Sequence, residues 1–121
     1  MSREIESNIN TQHDLEGVPR HVLLEAGALT YQMRVSDTVL IVKSSGADDA
    51  GIVTLPSLAE AVGKFYFISA PTGATGGDIS LYEKETGSEL ATNGDMDADD
   101  DHLILFSDGT KWRTVSNGVA A

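Results

Sequence analysis

The sequence predicts an all-β fold: a small antiparallel β-sandwich or barrel of about seven short strands and one short helix, with an extended N-terminal arm. Three observations carry this expectation. From Leu29 onward, short stretches rich in β-branched and aromatic residues recur about every ten residues. Gly, Ser, Thr and Asp gather between them, at 44–51 and 72–78, where turns need those side chains. The segment from His102 to Ser116 reads as two strands folded back through Asp108-Gly109, because turns that match strand twist need a positive φ that glycine tolerates.

Residues 1 to 27 differ from the rest. Their aliphatics, Ile5, Ile9, Leu15, Val18, Val22, Leu23 and Leu24, show neither alternation nor a helical stripe, and Gly17-Val18-Pro19 breaks any helix across them. The segment reads as an extended arm that tacks onto a neighbouring subunit through Ile5, Ile9, Leu15, Val18, Leu23 and Leu24. A frayed tail with a short closing strand at Val22 to Leu24 is the alternative. The folded domain is expected over 28–121.

Within that domain the expected strands are Leu29 to Val35, Val39 to Lys43, Gly51 to Leu55, Lys64 to Ala70, Ile79 to Glu83, His102 to Ser107 and Lys111 to Ser116. Between the third and fourth, Pro56 to Gly63 has the marks of one or two helical turns, with Ser57 placed to cap and Gly63 to terminate. In the fourth strand Phe65 and Phe67 point one way, Tyr66 and Ile68 the other. Apolar residues on both faces imply a central, doubly covered strand or one that forms a protomer interface. Trp112 is placed either to cover the end of the core or to anchor an interface. Lys111 and Arg113 face away from it and are candidate partners for an acidic loop on another protomer.

Composition narrows the function. Nineteen acids against eight bases leave a net charge of −11, which opposes contact with a phosphate backbone, so no nucleic-acid partner is expected. Acidity concentrates between Asp78 and Asp108, which hold ten carboxylates and one base, Lys84. The first residues lack the order of a signal peptide, and no apolar run nears the roughly 18 residues of a membrane helix, so no membrane partner is expected. Without cysteine there is neither a disulfide nor a thiolate site.

Candidate chemistry is sparse. Asp95, Asp97 and Asp99 match the opening of a calcium loop, but Asp100 stands where the sharp-turn Gly belongs and Phe106 in place of the closing Glu. His13, His21 and His102 have no zinc spacing, and Ser69, Ser80 and Ser107 lie in strand patterns without a nucleophile elbow. Thr72 to Gly77 is glycine-rich but lacks the Gly-Lys ending of a phosphate loop. No catalytic residue, metal or cofactor is assigned.

The order of motifs is more telling. Gly51-Ile-Val-Thr-Leu-Pro followed by Gly63-Lys-Phe-Tyr-Phe-Ile, then Asp78-Ile-Ser-Leu-Tyr, then the Ser107-Asp-Gly-Thr-Lys-Trp hairpin resembles a β module of structural proteins in tailed bacteriophages. The likeness spans about residues 38 to 116 and departs from the module in the acidic insert from Glu83 to Asp101. One copy of the module plus an arm, without internal repeats, is most similar to a head decoration, or cement, protein. That resemblance implies a homotrimer on the capsid surface, made in the host cytoplasm, whose partner is the major capsid protein and whose arm contacts the capsid or a neighbour. A tail- or fibre-associated adaptor, with a receptor- or glycan-binding role, is the alternative.

Overall fold

All seven expected strand segments form strands, and two more join them. A computed structural model describes residues 18–25, 27–44, 50–71, 78–90, 95–98 and 100–118. In chain order the strands are β1 (Arg20–Leu24), β2 (Thr30–Gln32), β3 (Val39–Ser44), β4 (Gly51–Thr54), β5 (Phe65–Ala70), β6 (Ile79–Tyr82), β7 (Asp95–Met96), β8 (Asp101–Ser107) and β9 (Trp112–Asn117). β1 falls inside the stretch read as an arm, where the alternative had placed a short closing strand.

The strands build two sheets that do not close into a barrel, one in the order β1-β3-β5-β8-β9, the other β2-β4-β6-β7. From β1 to β6 the chain alternates between sheets, so β1, β3 and β5 run parallel in one and β2, β4 and β6 in the other. The chain then turns back, and β7, β8 and β9 add in antiparallel fashion. The expected antiparallel arrangement is thus corrected to two mixed sheets. Side-chain alternation has the same two-residue period in either direction, so the pattern reveals which residues face inward but not which way a neighbour runs. The Asp108-Gly109 hairpin does form, with Gly109 at φ 94°.

The expected helix is also corrected. Over Pro56 to Gly63 the backbone makes one helix-like bond, from the Ala61 N–H to the Ser57 carbonyl at 3.0 Å, and Gly63 at φ 81° leads the chain into β5. A segment this short cannot recover the cost of helix nucleation, and its value lies in sending Leu58 and Ala61 into the core. No helix occurs among the described residues.

Inward side chains of both sheets merge into a single core. Leu24, Leu40, Val42, Tyr66, Ile68, Leu103, Leu105 and Trp112 come from the five-stranded side, and Met33, Val53, Leu55, Ile79, Leu81 and Met96 from the other. Gly51 is small by necessity, since a Cβ there would run into Leu24 Cδ1 and lie 3.3 Å from Ile79 Cδ1.

One polar node ties the first strands to this core. Asp37, 2% exposed, accepts hydrogen bonds from Arg20 Nε at 2.6 Å, the Tyr31 hydroxyl at 2.6 Å and the Arg34 N–H at 2.9 Å. Burial, then the bond to Asp37, pushes the Tyr31 hydroxyl up to about 12, which keeps it a donor. The Tyr66 hydroxyl donates to the Val35 carbonyl at 2.7 Å and anchors the same loop from β5.

Candidate functional site

The two sheets present opposite chemistries to the outside. Cross-strand pairing places Thr30 beside Ile52 and Ser80, and Gln32 beside Thr54 and Tyr82, with Asp95 opposite Ser80 on β7. That is the polar outer face of a sheet with one side in the core and one in water.

The five-stranded sheet carries apolar side chains on both sides. Its outward positions form rows across the strands: Phe65, Phe106 and Arg113; then Val39, Phe67, Ile104 and Ser116; then His21, Ile41, Ser69 and His102; then Leu23 and Lys43. Phe65 and Leu23 are each 56% exposed, Phe67 36%. β9 adds Val115, 54% exposed, as the extra residue of a bulge. The rings of Phe65 and Phe106 lie 4.8 Å apart, and Phe67 stacks on His102 at 5.9 Å and 19°. The imidazole is held by its Nδ1, 3.1 Å from the Asp100 carbonyl, a contact that requires the proton on that nitrogen. At the β1 and β3 corner the face dips into a shallow depression of about 340 Å³ lined by His21, Val22, Leu23, Ile41 and Lys43.

Charge is almost absent from this face. None of its outward strand positions is a carboxylate. Arg113 is neutralised within its own hairpin, with Nε 2.7 Å from Asp108 Oδ2. The N–H groups of Lys111 and Thr110, and then Arg113, hold the Asp108 carboxyl well below the usual carboxylate range.

The expected interface residues divide accordingly. Leu23 and Arg113 lie on the outward face, and Val18, 42% exposed, just precedes β1. Leu24 and Trp112 point inward and belong to the core, where Trp112 meets Tyr66 edge-on at 5.6 Å. Ile5, Ile9 and Leu15, and the glycine-rich turn from Thr72 to Gly77, lie outside the described residues. Sequence reasoning singled out Phe65 and Phe67 but missed Val39, Ile41, Ile104 and Phe106. The signal was available in the unbroken apolar runs Val39 to Val42 and Leu103 to Phe106, which mark strands covered on both sides.

Among the described residues the acidic segment holds no convergent ligand set. Asp101 is buried and accepts the Ala98 N–H at 3.0 Å, so it closes its own turn, and Asp99 lies outside the described residues. Among the described residues no group of three or more His, Asp or Glu side chains could hold a metal ion. Around Asp95 the carboxylates repel instead: burial first, then Asp78, Asp97 and Glu89, raise its pKa. A raised carboxylate pKa means that the folded state binds the proton more readily, so this group disfavours folding at neutral pH and the penalty fades on acidification toward the usual carboxylate range. Asp95→Asn should therefore stabilise the protein at pH 7 by at most about 0.5 kcal/mol after solvent screening, with the gain gone near pH 4, as thermal melts at the two pH values will show.

The chain matches no protein-family model, no curated protein and no solved structure.

Proposed function

We propose that this chain is a bacteriophage virion structural protein that decorates and stabilises the expanded capsid, binding the major capsid protein as a trimer. The observation that carries the assembly part of this reading is the carboxylate-free outer face of the five-stranded sheet, apolar at its centre, in a chain of net charge −11. An exposed apolar patch of this extent is a mark of protein contact. The motif order from Gly51 to Trp112 supports the particle, since it resembles a module of tailed-phage structural proteins.

The mechanism is linkage rather than chemistry. A protein that binds the assembled, expanded lattice and not its separated subunits stabilises the lattice by mass action. Three copies joined in one trimer would convert modest individual contacts into avidity. The polar sheet and the acidic segment around Asp78, Glu89, Asp95 and Asp97 suit an outward, solvated position.

One observation favours a second reading, a tail- or fibre-associated adaptor. The winding of β1 to β6 leaves β1 and β2 as edge strands of their sheets, so that further strands could add there in an elongated appendage. Co-sedimentation decides between the two. Saturable binding to expanded empty capsids at a fixed ratio, lost on deletion of residues 1–17, supports the capsid role and its arm. Binding to purified tails but not to capsids supports the adaptor, with receptor or glycan binding as its further role.

A further inference from the structure

We infer that the outward face of the five-stranded sheet is the surface through which copies of this chain associate, with a second copy as its occupant and Phe67 at its centre. The inference rests on reading the chain as an assembly subunit, though not on which particle it joins.

Charge selects the occupant. Each copy carries −11, so copies repel at long range and contact costs least where carboxylates are absent. The outward strand positions meet that condition, and with Arg113 paired to Asp108 their remaining formal charge is Lys43 at one corner. A partner recognised through opposite charge would need a charged patch to read, and this face offers none. It offers an apolar centre of Val39, Ile41, Phe65, Phe67, Ile104 and Phe106, with polar groups toward its margins.

Size agrees. Five strands at about 4.8 Å spacing, each presenting roughly 20 Å of length, make a flat area of about 500 Å² before side-chain relief is counted. Specific interfaces bury about 800 Å² per partner, with the smallest near 600 Å². β5 is the middle strand, and Phe67 is flanked on both sides by apolar neighbours, Val39 and Ile104. It is the position most completely shielded when the face is covered, where contact energy concentrates.

The test is the solution mass of the full chain by light scattering over a range of concentrations. Wild type is expected at a multiple of the single-chain mass. Phe67→Glu should weaken self-association by roughly 30-fold or more while retaining the β circular-dichroism spectrum. Thr30→Glu makes the same change in charge on the polar sheet and should leave the mass unaltered. If Phe67→Glu does not fold, Ile41→Lys, on the same face in β3, takes its place. A single-chain mass for wild type at every concentration would overturn the inference, as would a folded face variant that stays associated, or dissociation by Thr30→Glu to the same degree. Capsid binding is scored separately: an oligomer that ignores expanded capsids sinks the capsid reading alone, and a monomer that binds them sinks this inference alone.

Discussion

Asp37→Ala is expected to cost about 3–5 kcal/mol of folding stability and to lower Tm by roughly 12 °C or more. The carboxylate is almost fully buried and gathers three donors from separate parts of the chain: Arg20 in β1, Tyr31 in β2 and the Arg34 N–H in the loop before β3. Removing it takes a charged acceptor from a guanidinium that is 23% exposed and from a half-buried phenol, and part of the desolvation of those groups is no longer offset. Asp37→Asn keeps acceptor oxygens but loses the charge, and should cost about half as much. Because β1 carries His21 and Leu23 of the outward face, Asp37→Ala should also impair association of the chain. Thermal and denaturant unfolding followed by circular dichroism checks the first effect. A loss below about 1 kcal/mol would show that the node does not hold the first strands in place.

The second large effect separates two neighbouring residues. Tyr66→Ala should destabilise the subunit by about 3–5 kcal/mol, whereas Phe67→Ala should change stability by less than about 1 kcal/mol and act on assembly instead. Tyr66 has no exposed surface, stands edge-on to Trp112 and bonds the Val35 carbonyl, so truncation opens a cavity and removes a loop anchor at once. Phe67 points outward from the same strand and keeps a third of its surface in water. Tyr66→Phe isolates the hydroxyl and should cost about 1 kcal/mol. Denaturation midpoints for the three variants, measured beside their solution masses, test whether β5 serves two apolar surfaces. Equal destabilisation by Tyr66→Ala and Phe67→Ala would mean that it serves one.

The same strand shows what the sequence made legible. The alternation Phe65, Tyr66, Phe67, Ile68 assigns the two faces correctly, because side chains of an extended chain point to opposite sides in turn. The Asp108-Gly109 hairpin was legible for a local reason, the positive φ at Gly109. Strand order was not. β1 pairs with β3 and β3 with β5, each across an intervening strand of the other sheet, and no local periodicity encodes a neighbour that far along the chain. The short helix over 56–63 was over-read from its capping residues, for Ser57 does receive the Glu60 N–H at 3.4 Å, but the segment is too brief to propagate. Asp37 left no sequence signal, since its partners Arg20 and Tyr31 are ordinary strand residues until the fold brings them together. A third of the face's apolar centre could be read from Phe65 and Phe67. The rest required knowing that β3 and β8 flank β5.

The most direct test of the proposed role is the thermal stability of expanded, empty capsids of the cognate phage, measured with and without this protein. A ligand of the assembled lattice alone must raise the melting temperature of that lattice, and the rise must saturate at a fixed ratio of protein to capsid subunit. The cement role predicts that rise, together with its loss when residues 1–17 are deleted. An unchanged capsid melting temperature at saturating protein would contradict it.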